Sequence, residues 1–152
     1  MLIRCNNKFN QLCDLDDILL SKKNIPDSLR DLLTVNVIQR DGCFYYDFLA
    51  PQGPFSKELG DRTGNEAFYN KILIDDYLSE YYEASDGIVY GVLYAERLLN
   101  KLSLEILDEK FNVIFSNDGM YSSVTFHRIR AGESWLSDDL EKYQLNSLLM
   151  LS

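Results

Sequence analysis

Two Asp-Gly pairs, Asp41-Gly42 and Asp118-Gly119, each stand between runs of β-branched and aromatic residues, and they constrain the fold more than any other feature. Asp-Gly tolerates the positive φ angles of a tight primed turn, so each pair predicts a β-hairpin. Centring the first on Asp41-Gly42 sets Val37 opposite Tyr46 and Val35 opposite Phe48, turning apolar side chains of both strands to one face. Centring the second on Asp118-Gly119 sets Val113 opposite Val124 and Phe111 opposite Phe126, with the same result. A strand at Leu104 to Leu107 is expected to join this second meander.

Helical periodicity lies between the hairpins. Thr63 and Glu66 stand at capping-box spacing, and Phe68, Ile72, Leu78 and Tyr81 recur near a helical period, predicting one helix through about Glu83. Val92, Ala95, Leu99 and Leu102 form one stripe of a second helix over 88–102, although Ile88, Val89 and Val92 pull its first half toward strand. A short strand at Leu2 to Cys5 and short helices at Leu15 to Leu20 and Asp27 to Leu33 precede them, the last opened by Pro26. A helical turn at Asp138 to Tyr143 and a strand at Leu148 to Leu151 close the chain. Pro51, Gly53, Pro54, Gly60 and Gly64 gather in one loop, 51–64, between two halves of a single domain spanning 1–152. With 152 residues, 46% of them hydrophobic, a domain of this size buries about 70% of its unfolded surface. The expectation is an α+β fold: a predominantly antiparallel sheet, built on two Asp-Gly hairpins and packed against two central helices.

The 24 acidic residues against 15 basic ones give a net charge of -9. That balance argues against direct contact with nucleic acid or an anionic membrane, whose binding depends on Lys and Arg. It suits solubility, or the steering of a basic ligand. Residues 1–7 lack the pattern of a signal peptide and no stretch approaches 18 apolar residues, so a cytoplasmic location is expected. Cys5, Cys13 and Cys43 are odd in number and form no C-x-x-C pair, which predicts reduced, packed thiols without a disulfide framework or zinc site.

Catalytic options are thin. Nucleophilic catalysis usually needs a base beside its Ser or Cys, and His127 is the sole imidazole. Its place in a strand from Ser123 to Arg130, on the face opposite Phe126, predicts an exposed or sheet-covering side chain. Asp16-Asp17, Asp75-Asp76 and Asp138-Asp139 offer paired acids, but helix neighbours point about 100° apart. Asp76 with Glu80, and Asp75 with Ser79, would share a face. The run Gly60-Asp61-Arg62-Thr63-Gly64 lacks the spacing and lysine of a phosphate loop and reads as a connector ending in a helix cap. Arg128 is expected to pair with Glu109 across the hairpin. No catalytic, cofactor-binding or metal-ligating residue is assigned.

Taken together, Leu104-Glu105-Ile106-Leu107-Asp108, the hairpin through Phe115 and Val124, and the stretch Phe126 to Leu140 with Ala131-Gly132-Glu133-Ser134-Trp135-Leu136 carry a resemblance. They resemble the small acidic immunity proteins of bacterial polymorphic toxin systems, including contact-dependent growth inhibition systems, over about a third of the chain. The resemblance implies binding without catalysis: such proteins occupy a toxin's active site or an adjacent surface. It implies a cognate toxin domain as partner, and many such toxins are basic nucleases; a negative domain mimics the phosphate field that they attract. It transfers no catalytic residue.

Within that reading, partner binding is expected on Asp75, Asp76, Tyr77, Glu80, Tyr82 and Glu83, because tyrosine beside acid offers broad contact area at low entropic cost. Trp135 and Leu136 are expected to anchor the last turn to the sheet, with Asp138 and Asp139 favouring a helix N-terminus. Two other classes stay open. A metal-dependent hydrolase would bring carboxylates from separate segments to one ion. An acidic nucleic-acid mimic or regulatory adaptor would bind several DNA-directed proteins.

Overall fold

The computed structural model describes residues 1–79 and 82–152. Its centre is an antiparallel sheet of five strands in the order β1 (Ile3–Cys5), β7 (Ser147–Leu151), β5 (Phe111–Asn117), β6 (Ser122–Arg128) and β4 (Ile72–Leu73). The first hairpin stands apart as a two-stranded sheet, β2 (Val37–Arg40) with β3 (Cys43–Tyr46). Among the described residues five α-helices accompany them: α1 (Asn7–Leu12), α2 (Leu15–Leu20), α3 (Asp27–Leu32), α4 (Arg62–Tyr69) and α5 (Ala84–Glu105). The fold is α+β, and no helix among the described residues is long and apolar enough to cross a membrane.

The first hairpin has the expected register, Val37 against Tyr46, and its turn residues Asp41 and Gly42 take φ of 52° and 77°. Pairing stops there, so Val35 and Phe48 do not face each other as strand partners. Phe48 lies instead in a 3-10 turn, Asp47–Leu49.

The second hairpin is shifted by two residues from the expected register: Val113 pairs with Phe126, and Phe111 with Arg128. Local side chains cause the shift. Asp118 Oδ1 accepts from the backbone of Met120 (2.9 Å) and Tyr121 (2.8 Å), and Asn117 Oδ1 from Gly119 (2.9 Å), which holds a four-residue loop open. An even shift leaves each side chain on its face. Val113, Phe115, Val124 and Phe126 accordingly remain in the main core.

Two other expectations are corrected. The helix expected to run from Thr63 to about Glu83 ends at Tyr69, and Asp61 rather than Thr63 caps it, its Oδ1 accepting from Gly64 N at 2.7 Å. Ile72 and Leu73 pair with Val124 and Ser123, and residues Ile74–Tyr77 form a 3-10 turn. Leu104 to Leu107 form no strand, because β5 is already flanked by β6 and β7 and offers no free edge. α5 continues to Glu105 instead, leaving Leu104 and Leu107 77% and 81% exposed. The turn expected at Asp138 to Tyr143 is a 3-10 turn, Leu140–Lys142.

The core lies between α5 and one face of the large sheet, where Val92, Leu98 and Leu102 are buried with Phe115, Phe126, Leu149 and Leu151. Gly91 permits the close approach: a Cβ there would lie 2.7 Å from the Phe115 ring. Tyr46 and Tyr94 share a hydrogen bond of 2.5 Å between their hydroxyls, tying the small sheet to α5. Burial pushes the Tyr46 phenol well above its ordinary value.

α4 seals the gap between the two sheets with side chains. Asn70, just past its last turn, accepts from Tyr46 N (3.1 Å) and donates to the carbonyls of Phe44 (2.8 Å) and Phe126 (3.3 Å). Glu66, fully buried, accepts from Phe44 N and Arg128 N, both at 2.7 Å, and from both guanidinium ends of Arg130 at 2.8 and 2.7 Å. Asn6 repeats the device at the other edge, accepting from Phe9 N and Leu148 N and donating to Asn146 O. Removing the carboxylate strands Arg130 and two backbone donors. Glu66→Ala is expected to lower unfolding free energy by about 3–5 kcal/mol in denaturant titration; a loss within error would show that the seam is not stabilising.

Candidate binding surface

The 3-10 turn at Ile74–Tyr77 and the start of α5 carry most of the expected partner-binding residues, and the structure divides them by task. Asp75 is a tie: its Oδ2 accepts from Ser122 N at 2.7 Å, and a Cβ on Gly87 would come within 2.9 Å of its Oδ1. Asp76 is exposed and makes no such bond among the described residues. Tyr77 is half-buried, its carbonyl accepting from Ser28 Oγ, which draws α3 and its exposed Asp27 and Asp31 against the turn. Tyr82 is exposed and packs edge-to-face on Tyr90 at 5.5 Å. Glu83 is exposed at the N-cap of α5, its N–H donating to Asp86 Oδ2 at 2.8 Å. Glu80 lies outside the described residues.

The α-helical face expected to carry Asp75 with Ser79 is absent, since α4 ends at Tyr69 and Ile74–Tyr77 form a 3-10 turn; the expected pairing of Asp76 with Glu80 falls on a residue outside the described ones. The 3-10 turn that carries Asp76 and Tyr77 packs on α5, whose N-cap is Glu83 and whose Tyr90 meets the Tyr82 ring. Asp86, which bonds Glu83 N, and Tyr90, which packs on Tyr82, belong to the same neighbourhood; Asp86 precedes the helix expected over 88–102 and Tyr90 lies off its apolar stripe, so no sequence signal marks either. Burial raises the Tyr90 phenol above its ordinary value, helped by Tyr82 and Asp86.

Other expected positions have structural employment. His127 is buried, its Nδ1 3.0 Å from Arg128 O, as a sheet-covering histidine should be. Arg128 Nε lies 2.5 Å from Glu109 Oε2 in the expected ion pair. Asp16 and Asp17 occupy the first turn of α2, and Asp17 N is capped by Asp14 at 3.1 Å. Arg4 donates to the carbonyl of Asp138, and Asp139 caps the 3-10 turn by accepting from Glu141 N at 3.1 Å. Among the described residues, no three His, Cys, Asp or Glu side chains converge as a metal-binding group. Cys5, Cys13 and Cys43 are free thiols.

One concavity was not foreseen. The sheet face away from α5 floors a cleft of about 570 Å³, lined also by Ala67 and Phe68 of α4 and by Trp135, Leu136, Tyr143 and Asn146. Trp135 is 43% exposed, so it forms a wall of this cleft more than the packed anchor expected of it. The sequence signal is the alternation that sends Ser116, Ser123 and Thr125 to one face, small hydroxyl residues where a covered sheet would carry bulk.

The sequence profile of the family described as "Uncharacterized protein PM0498 family" matches residues 4–152. A curated relative from Pasteurella multocida (strain Pm70), "Uncharacterized protein PM0498", is 30% identical over 142 residues, which cover 85% of this chain and 82% of the relative. No solved structure matches the chain significantly.

Two measurements follow from these placements. Asp75→Ala should cost about 1.5–3 kcal/mol by orphaning Ser122 N, whereas Asp76→Ala should stay within about 0.5 kcal/mol; equal losses in thermal melts would refute the division. Burial holds the imidazole of His127 below its ordinary value of 6.5, against the opposing influence of Arg128 O, Glu66 and Asp61 and with that of Arg130. The unfolded chain therefore binds the proton more readily, and stability declines as pH falls below about 6.5, by at most about 1.4 kcal/mol per pH unit. His127→Gln should flatten that decline, read from unfolding titrations between neutral and mildly acid pH.

Proposed function

The chain belongs to the PM0498 family, and from the arrangement of its acidic surface we propose that it acts by binding, as an immunity protein that neutralises a cognate toxin domain. The partner in this reading is a basic protein of nuclease type, met in the cytoplasm and blocked at its active site or on an adjacent surface. The observation that carries the proposal is the exposure of Asp76 and Glu83 beside Tyr77 and Tyr82 on elements held from behind. Asp75 bonds the turn to β6, and Ser28 bonds it to α3. Charges fixed in this way pay little ordering entropy on association. The net charge of -9 supplies a long-range field for encounter with a cationic surface, and tyrosine faces supply contact area once the partners dock.

The reading expects a toxin domain encoded beside this gene, and the test is a binding measurement against that domain. The wild-type protein should form a complex whose association rate falls with salt, and should rescue cells expressing the toxin. Asp76→Lys is expected to slow association about tenfold with an unchanged melting temperature, while Tyr82→Ala should mainly speed dissociation. Absence of both a salt-dependent complex and rescue would overturn the proposal; binding indifferent to Asp76→Lys would show that the wrong surface was chosen.

A further inference from the structure

We propose that the cleft on the far face of the sheet binds a small organic anion, a carboxylate carried on an aromatic body. Its volume of about 570 Å³ falls in the range of small-ligand sites. The charge of its lining is opposite to that of the molecule: in a chain of net charge -9, the cleft has no carboxylate among its described lining residues, and its one ionised side chain is Lys71. Lys71 is exposed and has neither an ion pair nor a hydrogen bond among the described residues; the carboxylate that feels its charge, Asp118, is held by the backbone of Met120 and Tyr121 in the hairpin loop and is not part of the cleft lining.

The remaining chemistry is that of an aromatic slot with donors. Phe68 and Trp135, 54% and 43% exposed, both line the cleft with ring surface open to it. The Tyr143 hydroxyl accepts from Ser137 N at 2.8 Å, which leaves its own proton to donate. Two of the floor hydroxyls are already engaged within the protein: Thr125 Oγ1 donates to Ala67 O at 2.6 Å, and Ser116 Oγ accepts from Asn146 Nδ2 at 3.0 Å. Ring faces with a single cation select a flat apolar group bearing one negative charge, and a cationic ligand would meet Lys71 unfavourably. The site shares no residue with the acidic surface and stands or falls independently of toxin binding.

Trp135 is the only tryptophan of the chain, so intrinsic fluorescence reports directly on the cleft wall. Titration with 3-phenylpropionate should give a saturable change in that signal, with affinity about tenfold above those of 3-phenylpropan-1-ol and 3-phenylpropylamine. Lys71→Met should abolish the preference for the acid while leaving the melting temperature unchanged, and Ser123→Leu should weaken all three probes by filling the floor. Equal affinity for the three probes would overturn the proposal by showing an apolar surface without charge selection. So would the lack of any saturable change up to millimolar probe, or a signal that depends on protein concentration alone, which would assign the cleft to a second copy of the chain.

Discussion

The fold depends on a buried carboxylate placed where two sheet edges need partners. β3 and the distal half of β6 each present backbone groups that no neighbouring strand reaches, and an unpaired buried amide is costly. α4 supplies the missing partners from two positions four residues apart. Glu66 gathers two backbone N–H groups and both ends of the Arg130 guanidinium, and Asn70 bridges Tyr46 N to the carbonyls of Phe44 and Phe126. A buried charge is tolerable on such terms because its lone pairs are filled and its counter-ion is close. Arg130 extends the unit by donating to Gly42 O at 2.9 Å, so the first hairpin's turn, α4 and the end of β6 are held together.

That seam also explains where sequence reading succeeds and where it fails. The first hairpin, α5 and β7 are local matters: a dipeptide that accepts positive φ, a stripe at helical spacing, an apolar run of strand length. They were legible for that reason. Ile72 and Leu78 continue the period of α4 and so predict a helix to about Glu83, whereas Asn70 turns its amide to distant backbone and Ile72 enters the sheet. Glu66 fits capping-box spacing from Thr63, yet its partners lie 22 and 62 residues away, and no local pattern reveals them. The strand expected at Leu104 to Leu107 failed on topology, since both sides of β5 were occupied.

The candidate surface shows the same limit at the scale of neighbouring residues. Asp75 and Asp76 are identical as sequence, and one ties the turn to β6 while the other faces water. Composition announced the acidity and the tyrosines; only packing decides which acids are spent inside the molecule. The cleft was illegible for a different reason. It arises from what the far face of the sheet lacks, and a run of Ser and Thr residues does not say whether a neighbour covers them.

The four-residue loop of the second hairpin carries a parity rule. Because its strands slid by two positions relative to the tightest turn, every inward residue stayed inward. Relatives that lengthen or shorten this connection in pairs can therefore re-zip the ladder at no cost to the interior. A single inserted residue has no such freedom, and must be swallowed as a bulge or in the loop tip, where Gly119 already supplies a φ of 99°.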